Sequence, residues 1–251
     1  MSNPASAGGY WDELRAAVRC QGYALMPSAL PKALVTDLSA ALDRCREDEE
    51  ALFGRTMLEE IGQDGYVSDL FRLGSPLASL LDCDLLHDLL RAVFEEPARL
   101  CVGQGIILDP GKGRGVWPRC WHADMYAIRR AMPDPGYCFG LNFLVLVDDM
   151  NKTNDPTCLL PGSQALAELA SDAPEDIAAR EVRTTAPAGS VLLIDGGTWH
   201  SAGMNRSDRR RRVLKLLFTR PWIRPQIDYA PTLSAAMLDG LSSRARALIG
   251  A

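Results

Sequence analysis

The sequence predicts a mainly β fold with flanking helices, and two observations carry this prediction. Helical patterning fills the chain up to about residue 98, and from residue 99 it gives way to short apolar runs bounded by glycine, proline and asparagine. The predicted strands follow the helices and do not alternate with them. This order favours a sandwich or barrel with helices on one face, and we expect a double-stranded β-helix (jelly-roll, cupin-like) core.

The helical part, residues 1–98, is justified by apolar spacing. After a short strand predicted over 22–26, Pro31 suits the first turn of a helix. A second helix is predicted over 77–94 and ends before Pro97. The first of these helices has apolar residues at intervals of three and four, namely Leu34, Val35, Leu38, Ala41 and Leu42.

The β part covers residues 99–220 and is followed by a C-terminal extension, 221–251. A helical insertion is predicted over 165–180. No repeat, low-complexity segment or linker interrupts the chain, so a single domain over 1–251 is expected. The predicted strands are 99–108, 120–128, 139–148, 190–195, 200–204 and 209–220.

Composition narrows the class of protein. The 251 residues are 47% hydrophobic and 24% charged, which is typical of a globular protein with a full core. The net charge of −5 gives no general attraction to nucleic acid or to anionic membranes. The first ten residues show no basic segment leading into an apolar one, and no run approaches membrane-spanning length, so a cytoplasmic protein is expected.

The seven cysteines are widely spaced and form no C-x-x-C pair. In a cytoplasmic chain this pattern indicates buried thiols, and neither a disulfide framework nor a zinc knuckle is expected.

The three histidines of the chain suggest a metal site. His122 and Asp124 are two residues apart in an apparent strand, where alternate side chains share a face. His200 follows the strand 190–195 and a Gly-Gly turn. Two histidines and one carboxylate with open positions form the facial triad that suits non-haem Fe(II). By itself, H-x-D also fits a hydrogen-bonded surface pair, and His87 fits a place within an amphipathic helix.

A candidate anion clamp lies downstream of His200. If a tight hairpin is centred on residues 205–206, Arg211 falls directly opposite His200 and shares its face. A guanidinium there would hold a ligand carboxylate with two hydrogen bonds. A one-residue bulge would substitute Arg210 or Arg212. The basic run 209–212 also fits a solvated surface or a nucleic-acid patch, although no aromatic platform accompanies it.

Four segments together resemble a known family. They are the opening G-Y-A-L-M-P at 22–27, W-H-A-D at 121–124, the stretch 146–163 ending in P-G-S, and G-S-V-L-L-I-D at 189–195 leading to His200. Asn205, Ser207 and Arg211 stand at offsets of five, seven and eleven from that histidine. Over residues 22–218 the chain resembles the phytanoyl-CoA dioxygenase family of Fe(II)/2-oxoglutarate oxygenases.

The resemblance implies an oxidoreductase that uses Fe(II), 2-oxoglutarate and O₂ to oxidise, most simply to hydroxylate, a small molecule. It implies His122, Asp124 and His200 as iron ligands and Arg211 as the clamp for the distal carboxylate of 2-oxoglutarate. The chain departs from the usual pattern in three places: Gln164 stands where histidine is frequent, Ala202 replaces a common serine, and no tryptophan lies near Phe143.

Three further side chains are candidates for the cavity. Gln104, on the strand before the H-x-D element, would contact the keto acid or serve as a plain strand residue. Cys120 and Tyr126 share the parity of His122 and Asp124, so an unbroken strand would turn both toward the substrate. Core packing is the alternative for both.

Several functional alternatives stay open at this point. The same cofactors also serve desaturation, cyclisation or epimerisation, and tailoring of a natural product would suit a compact oxygenase. A cupin-like zinc or iron enzyme that does not use 2-oxoglutarate would share the ligands but has no need of Arg211. A non-catalytic jelly-roll binding module would not need the metal ligands. The sequence does not indicate an oligomeric state.

Overall fold

A computed structural model describes residues 7–113, 121–132, 134, 136–166 and 179–251. Helices precede and follow the β-rich part of the described chain. Short 3₁₀ turns lie at Leu70–Leu73, Ser163–Ala165 and Ala230–Thr232. The α-helices are α1 (Ala7–Gln21), α2 (Lys32–Phe53), α3 (Arg55–Glu60), α4 (Ser75–Leu81), α5 (Asp84–Phe94), α6 (Tyr126–Ala131), α7 (Ala235–Asp239) and α8 (Ser243–Ile249).

Two antiparallel sheets form the core, as expected for a jelly-roll. Within the described residues, the major sheet has the strand order β1-β7-β4-β9-β3-β2, and the minor sheet has the order β6-β5-β8. The strands are β1 (Tyr23–Met26), β2 (Tyr66–Val67), β3 (Arg99–Leu108), β4 (Gly140–Leu146), β5 (Cys158–Leu159), β6 (Val182–Arg183), β7 (Val191–Asp195), β8 (His200–Ser201) and β9 (Arg211–Thr219).

The major sheet has two different buried faces, because successive side chains of a strand point to opposite sides. Leu214, Leu216 and Phe218 of β9 join the large core shared with the helices. The intervening residues of β9, starting at Arg211, face the other way, toward the minor sheet. The alternation of side chains along β9 therefore gives the strand one face that packs against the helices and another face that lines the cavity.

The helical layer follows the apolar spacing, with one correction. Pro31 immediately precedes α2, as predicted, and α2 buries Val35, Leu38 and Leu42. The helix predicted over 77–94 is two helices, α4 and α5, separated at Asp82 and Cys83. Leu248 and Ile249 of α8 belong to the same core, so the C-terminal extension packs with this layer.

Two strand predictions were wrong or too long. Residues 120–128 do not form one strand: residues 114–120 lie outside the described chain, His122 forms a single bridge, and the backbone turns at Asp124 into α6. The strand predicted over 200–204 is limited to His200–Ser201. The helical insertion predicted over 165–180 lies mostly outside the described residues.

Two other expectations concern the thiols and the membrane. The described cysteines are all free, and most are at least partly buried, but Cys20 is exposed, contrary to the expectation of buried thiols. Within the described chain, no helix combines the length and the apolar character needed to span a bilayer.

Candidate active site

Backbone pairing between separated segments brings the two histidines together. The His122 N–H donates to the His200 carbonyl at 3.0 Å, and the His200 N–H donates to the His122 carbonyl at 2.9 Å. This bridge extends the minor sheet beyond β8. The imidazole centroids lie 4.3 Å apart, so both rings reach one point in space.

Asp124 completes the cluster from the turn that follows His122. Its Oδ1 lies 3.9 Å from His122 Nε2, and its Oδ2 lies 3.6 Å from His200 Nε2. One potential metal-binding atom from each of the three side chains lies within 4.8 Å of the other two. His122 is half exposed whereas His200 is buried, so the cluster lies at the mouth of the core and one side is open to solvent.

Two residues of the major sheet hold the Asp124 carboxylate. Asn142 Nδ2 donates to Oδ2 at 2.7 Å, and Lys215 Nζ donates to Oδ1 at 2.8 Å. Asn142 is fully buried on β4, and the Lys215 side chain on β9 is largely buried. Both oxygens of the carboxylate are therefore oriented before any ligand arrives.

Burial and neighbouring charges set the protonation of the cluster. Burial by itself would raise the pKa of Asp124, but attraction to His200 and to the Lys215 ammonium outweighs it and holds the pKa well below its usual range. Burial lowers the pKa of His200 to about 4, against the attraction of Asp124. Because His200 is neutral at pH 7, Lys215 is the cation that acts on the carboxylate there.

The three residues fit a divalent metal ion. The carbonyl of Thr198 accepts from His200 Nδ1 at 2.9 Å, which places the proton on Nδ1 and leaves the Nε2 lone pair facing the cluster. A neutral imidazole and an ionised carboxylate are the forms that bind metals. With three protein ligands on one side, the donor set leaves positions open for a co-substrate and O₂.

Arg211 lines the same cavity, and its guanidinium is buried. Nη1 donates to the backbone carbonyls of Asn154, at 2.8 Å, and Asp155. Burial lowers the pKa of Arg211 to about 10, so it is still a cation at pH 7. Among the described atoms, Arg211 Nε is buried and without a hydrogen-bond partner. An unpartnered donor beside a cavity is what a ligand carboxylate would satisfy.

The cavity lies between the two sheets and has a volume of about 160 Å³. Its wall on the major sheet is partly apolar and carries Gln104, which is the cross-strand partner of Lys215. The described residues that line it are Tyr66, Gln104, Ile106, Leu108, Gly113, His122, Leu144, Thr157, His200, Ser201, Ala202, Arg211, Val213 and Lys215.

Arg211 lines the cavity as predicted, but the hairpin that was predicted to place it there is wrong. His200 and Arg211 are not opposed residues of one hairpin: β8 pairs with β5 in the minor sheet, and β9 pairs with β3 and β4 in the major sheet. The two side chains instead face each other across the space between the sheets. Arg212 points the other way, into an ion pair with Asp148 at 2.9 Å.

The two residues predicted to face the substrate, Cys120 and Tyr126, have different outcomes. Cys120 lies outside the described residues. Tyr126 begins α6, and its ring contacts the edge of Trp199 with centroids 5.7 Å apart. The strand parity that predicted a cavity position for Tyr126 does not apply, because the chain has already turned into a helix.

Sequence reasoning missed Asn142, Lys215 and Thr157. Asn142 is the one polar side chain in the apolar strand β4, which is a signal that could have identified it. Lys215 shares the parity of Arg211 on β9, which places both on the cavity face. Thr157, which directly precedes β5, also lines the cavity, and no local pattern indicated it.

A jelly-roll whose sheets enclose two histidines, a carboxylate and a buried arginine defines the class of mononuclear non-haem metal oxygenases. The chain belongs to the phytanoyl-CoA dioxygenase family, whose model matches residues 18–213. The family resemblance in the sequence is thereby confirmed. The protein is an Fe(II)/2-oxoglutarate-dependent dioxygenase, an oxidoreductase that uses Fe(II), 2-oxoglutarate and O₂.

Individual relatives are distant but cover most of the chain. The Uncharacterized protein Rv1501 of Mycobacterium tuberculosis is 26% identical over 245 residues, covering 95% of this chain and 86% of that protein. The Multifunctional dioxygenase ausE of Emericella nidulans is 24% identical over 259 residues, covering 95% of this chain and 83% of that protein.

Two solved structures show the same fold. EctD from S. alaskensis in its apoform has a TM-score of 0.68 at 20% identity, with 90% of this chain and 86% of that chain covered. The alpha-ketoglutarate-dependent epimerase SnoN from nogalamycin biosynthesis has a TM-score of 0.64 at 19% identity, with 87% of each chain covered. The expected jelly-roll fold is confirmed.

Proposed function

We propose that His122, Asp124 and His200 bind the catalytic Fe(II), that Arg211 binds the distal carboxylate of 2-oxoglutarate, and that the enzyme hydroxylates a small organic molecule. The observation that carries the assignment is that His122, His200 and Arg211 line one cavity between the sheets, while Asp124 lies against the two histidines. Bound iron would supply the oxidation, and the protein residues supply orientation and a partly dry site.

The residues of this chain do three things in this scheme. His200 and Asp124 lie side by side in their metal-binding protonation states, with Asn142 and Lys215 fixing the carboxylate. Arg211 holds an anion from inside the core, where a charged hydrogen bond is stronger than in water. The apolar side chains of the major sheet exclude water and contact the substrate body.

Epimerisation is the second candidate reaction, with the same cofactors. SnoN, which shares the fold, is described as an alpha-ketoglutarate-dependent epimerase from nogalamycin biosynthesis, and one of its structures contains Fe3+, alpha ketoglutarate and nogalamycin RO. A role in tailoring a natural product would suit either reaction. Release of succinate accompanied by an oxygen atom in the product would support hydroxylation, and an unchanged product mass would support epimerisation.

Anaerobic spectroscopy tests the assignment of the cofactor site. The purified protein with Fe(II) and 2-oxoglutarate together should give a weak visible metal-to-ligand charge-transfer band that neither component gives alone. Arg211→Ala should weaken the band, because a higher concentration of 2-oxoglutarate is then needed to form the complex. A wild-type protein that binds Fe(II) but shows no band with 2-oxoglutarate would contradict the proposal and favour an enzyme that does not use the keto acid.

A further inference from the structure

A second cation, Lys215, lies in the cavity apart from Arg211. Arg211, Val213 and Lys215 alternate on β9 and all line the cavity. Four residues of strand separate the two cations by roughly 13 Å at the backbone. In the proposed function, Arg211 would hold the distal end of the keto diacid, and the metal would hold its other end. Lys215 contacts Asp124 and lies away from the Arg211 end of the cavity.

Within the described part of the chain, Lys215 Nζ is paired with the carboxylate of Asp124, which is also a proposed metal ligand. Nζ lies 2.8 Å from Asp124 Oδ1, and the lysine side chain is 16% exposed. A divalent ion bound to Asp124 would compete with the Lys215 ammonium for the negative charge of that carboxylate. A buried ammonium with a shared counter-ion is costly unless another anion approaches it.

The balance of charge in the cavity points the same way. Among the described lining residues, Arg211 and Lys215 are the permanently charged side chains, and both are positive. Together with divalent iron they exceed the negative charges of Asp124 and of 2-oxoglutarate by one. The loaded cavity would therefore attract one further negative charge.

The other residues of the cavity wall indicate what kind of molecule would carry this further negative charge. Ile106, Leu144 and Val213 present apolar surface beside Lys215, and Leu144 is its cross-strand neighbour on β4. Gln104, its neighbour on β3, adds an amide next to the ammonium. This combination suits a small molecule with an apolar body and one anionic end.

We propose that Lys215 is the substrate-anchoring residue and that the substrate of this enzyme carries a carboxylate that Lys215 binds. The proposal deepens the proposed function and rests on it. It differs from a purely structural role for Lys215, in which the lysine only neutralises Asp124, and from a role in holding the metal-proximal carboxylate of 2-oxoglutarate.

Matched pairs of small probes test the proposal without knowledge of the substrate. The protein is loaded with Zn(II) and 2-oxoglutarate, and saturation-transfer NMR compares phenylacetate with phenylacetamide and hexanoate with hexanamide. Because a hydrogen bond to a charged group is stronger, each acid should bind at least about tenfold more tightly than its amide. Lys215→Met should abolish that preference, and Lys215→Arg should retain it. Lys32→Met, at an exposed lysine in the first turn of α2, is the matched control.

Separate measurements distinguish the other roles of Lys215. The affinity for 2-oxoglutarate is measured in Lys215→Met by the anaerobic Fe(II) charge-transfer band, and it should stay within about threefold of the wild type. Equal binding of acids and amides, an acid preference that survives Lys215→Met, or a loss of 2-oxoglutarate affinity of about tenfold or more would each overturn the proposal. If Lys215→Met does not fold, Lys215→Gln is compared with Lys215→Arg. A wild-type protein without the band would refute the proposed function, which is a different result.

Discussion

The two sheets that enclose the cavity differ in length, burial and chemistry. The major sheet has strands of up to ten residues packed against the helices, and it carries Arg211, Lys215 and Asn142. The strands of the minor sheet are two residues long, and this sheet carries His200 and pairs with His122. The long strands of the major sheet thus position the proposed anion-binding groups, whereas the proposed metal site is built from short strands and turns.

The largest expected effect comes from removing a proposed metal ligand on the minor-sheet side. Asp124→Ala or His200→Ala should weaken Mn(II) binding by more than about 100-fold, since the loss of a supporting residue alone costs about 10–100-fold. Electron paramagnetic resonance of free Mn(II) measures this directly. His87→Gln is the control, because His87 lies in α5. Wild-type affinity in either ligand variant would show that the cluster is not the metal site.

A change on the major sheet should separate the two cofactors. Arg211→Ala should raise the Kd of 2-oxoglutarate about 100-fold, because it leaves a carboxylate without its charged partner in a buried site, and it should leave Mn(II) binding nearly unchanged. Calorimetry with the Mn(II)-loaded protein measures both. Arg212→Ala, the adjacent residue on the opposite face, should change neither. A weakened Mn(II) site in Arg211→Ala would break the division between the sheets.

The buried His200 predicts a pH dependence of the metal-free protein. The unfolded chain takes up this proton near pH 6.5, whereas the folded chain takes it up only at about pH 4, so the stabilisation is present above pH 6.5 and is lost as the pH falls toward 4. Between pH 7 and pH 5 the free energy of unfolding should fall by about 2 kcal/mol on this account. Urea titrations of the wild type and His200→Gln measure it. Equal pH slopes in the two proteins would contradict the prediction.

Asn142 tests whether the major sheet also supports the metal ligands. Asn142→Leu should weaken Mn(II) binding about tenfold by freeing the Asp124 carboxylate. The same change should lower the free energy of unfolding of the metal-free protein by about 1–2 kcal/mol, because Asp124 Oδ2 loses a hydrogen bond, which is partly offset by removal of the buried Asn142 Oδ1, an atom without a hydrogen-bond partner among the described atoms. Asn142→Asp, which places a second carboxylate beside Asp124, should lower the free energy of unfolding more than Asn142→Leu does. Unchanged metal affinity in Asn142→Leu would assign Asn142 to packing alone.

Gln104 is expected to give the smallest effect. Gln104→Leu removes one neutral hydrogen-bonding group from the cavity wall and should raise the Kd of 2-oxoglutarate about threefold. The charge-transfer titration used for Arg211→Ala measures it. An effect as large as that of Arg211→Ala would make the amide a main contact of the keto acid and give β3 an equal part in binding it.

Local pattern predicted most elements but failed where tertiary contacts override it. The strand 99–108 matches β3, and Arg211–Thr219 lies within the predicted strand 209–220, because both segments are short apolar runs rich in leucine and β-branched residues. The segment after His122 looked equally extended, yet it turns at Asp124. The Met125 N–H donates to the Gly196 carbonyl at 2.7 Å, a long-range bond that no local pattern contains.

The two histidines, the carboxylate and the arginine, together with the family resemblance, predicted a metal and keto-acid site from the sequence, since residue types limit the chemistry that a site can perform. The pairing of the segments was decided by the tertiary structure alone. His200 and Arg211 are eleven residues apart but belong to different sheets, and they face each other because the sheets stack. Asn142 and Lys215 meet Asp124 from strands far away in sequence, and such contacts arise only when the two sheets close around one cavity.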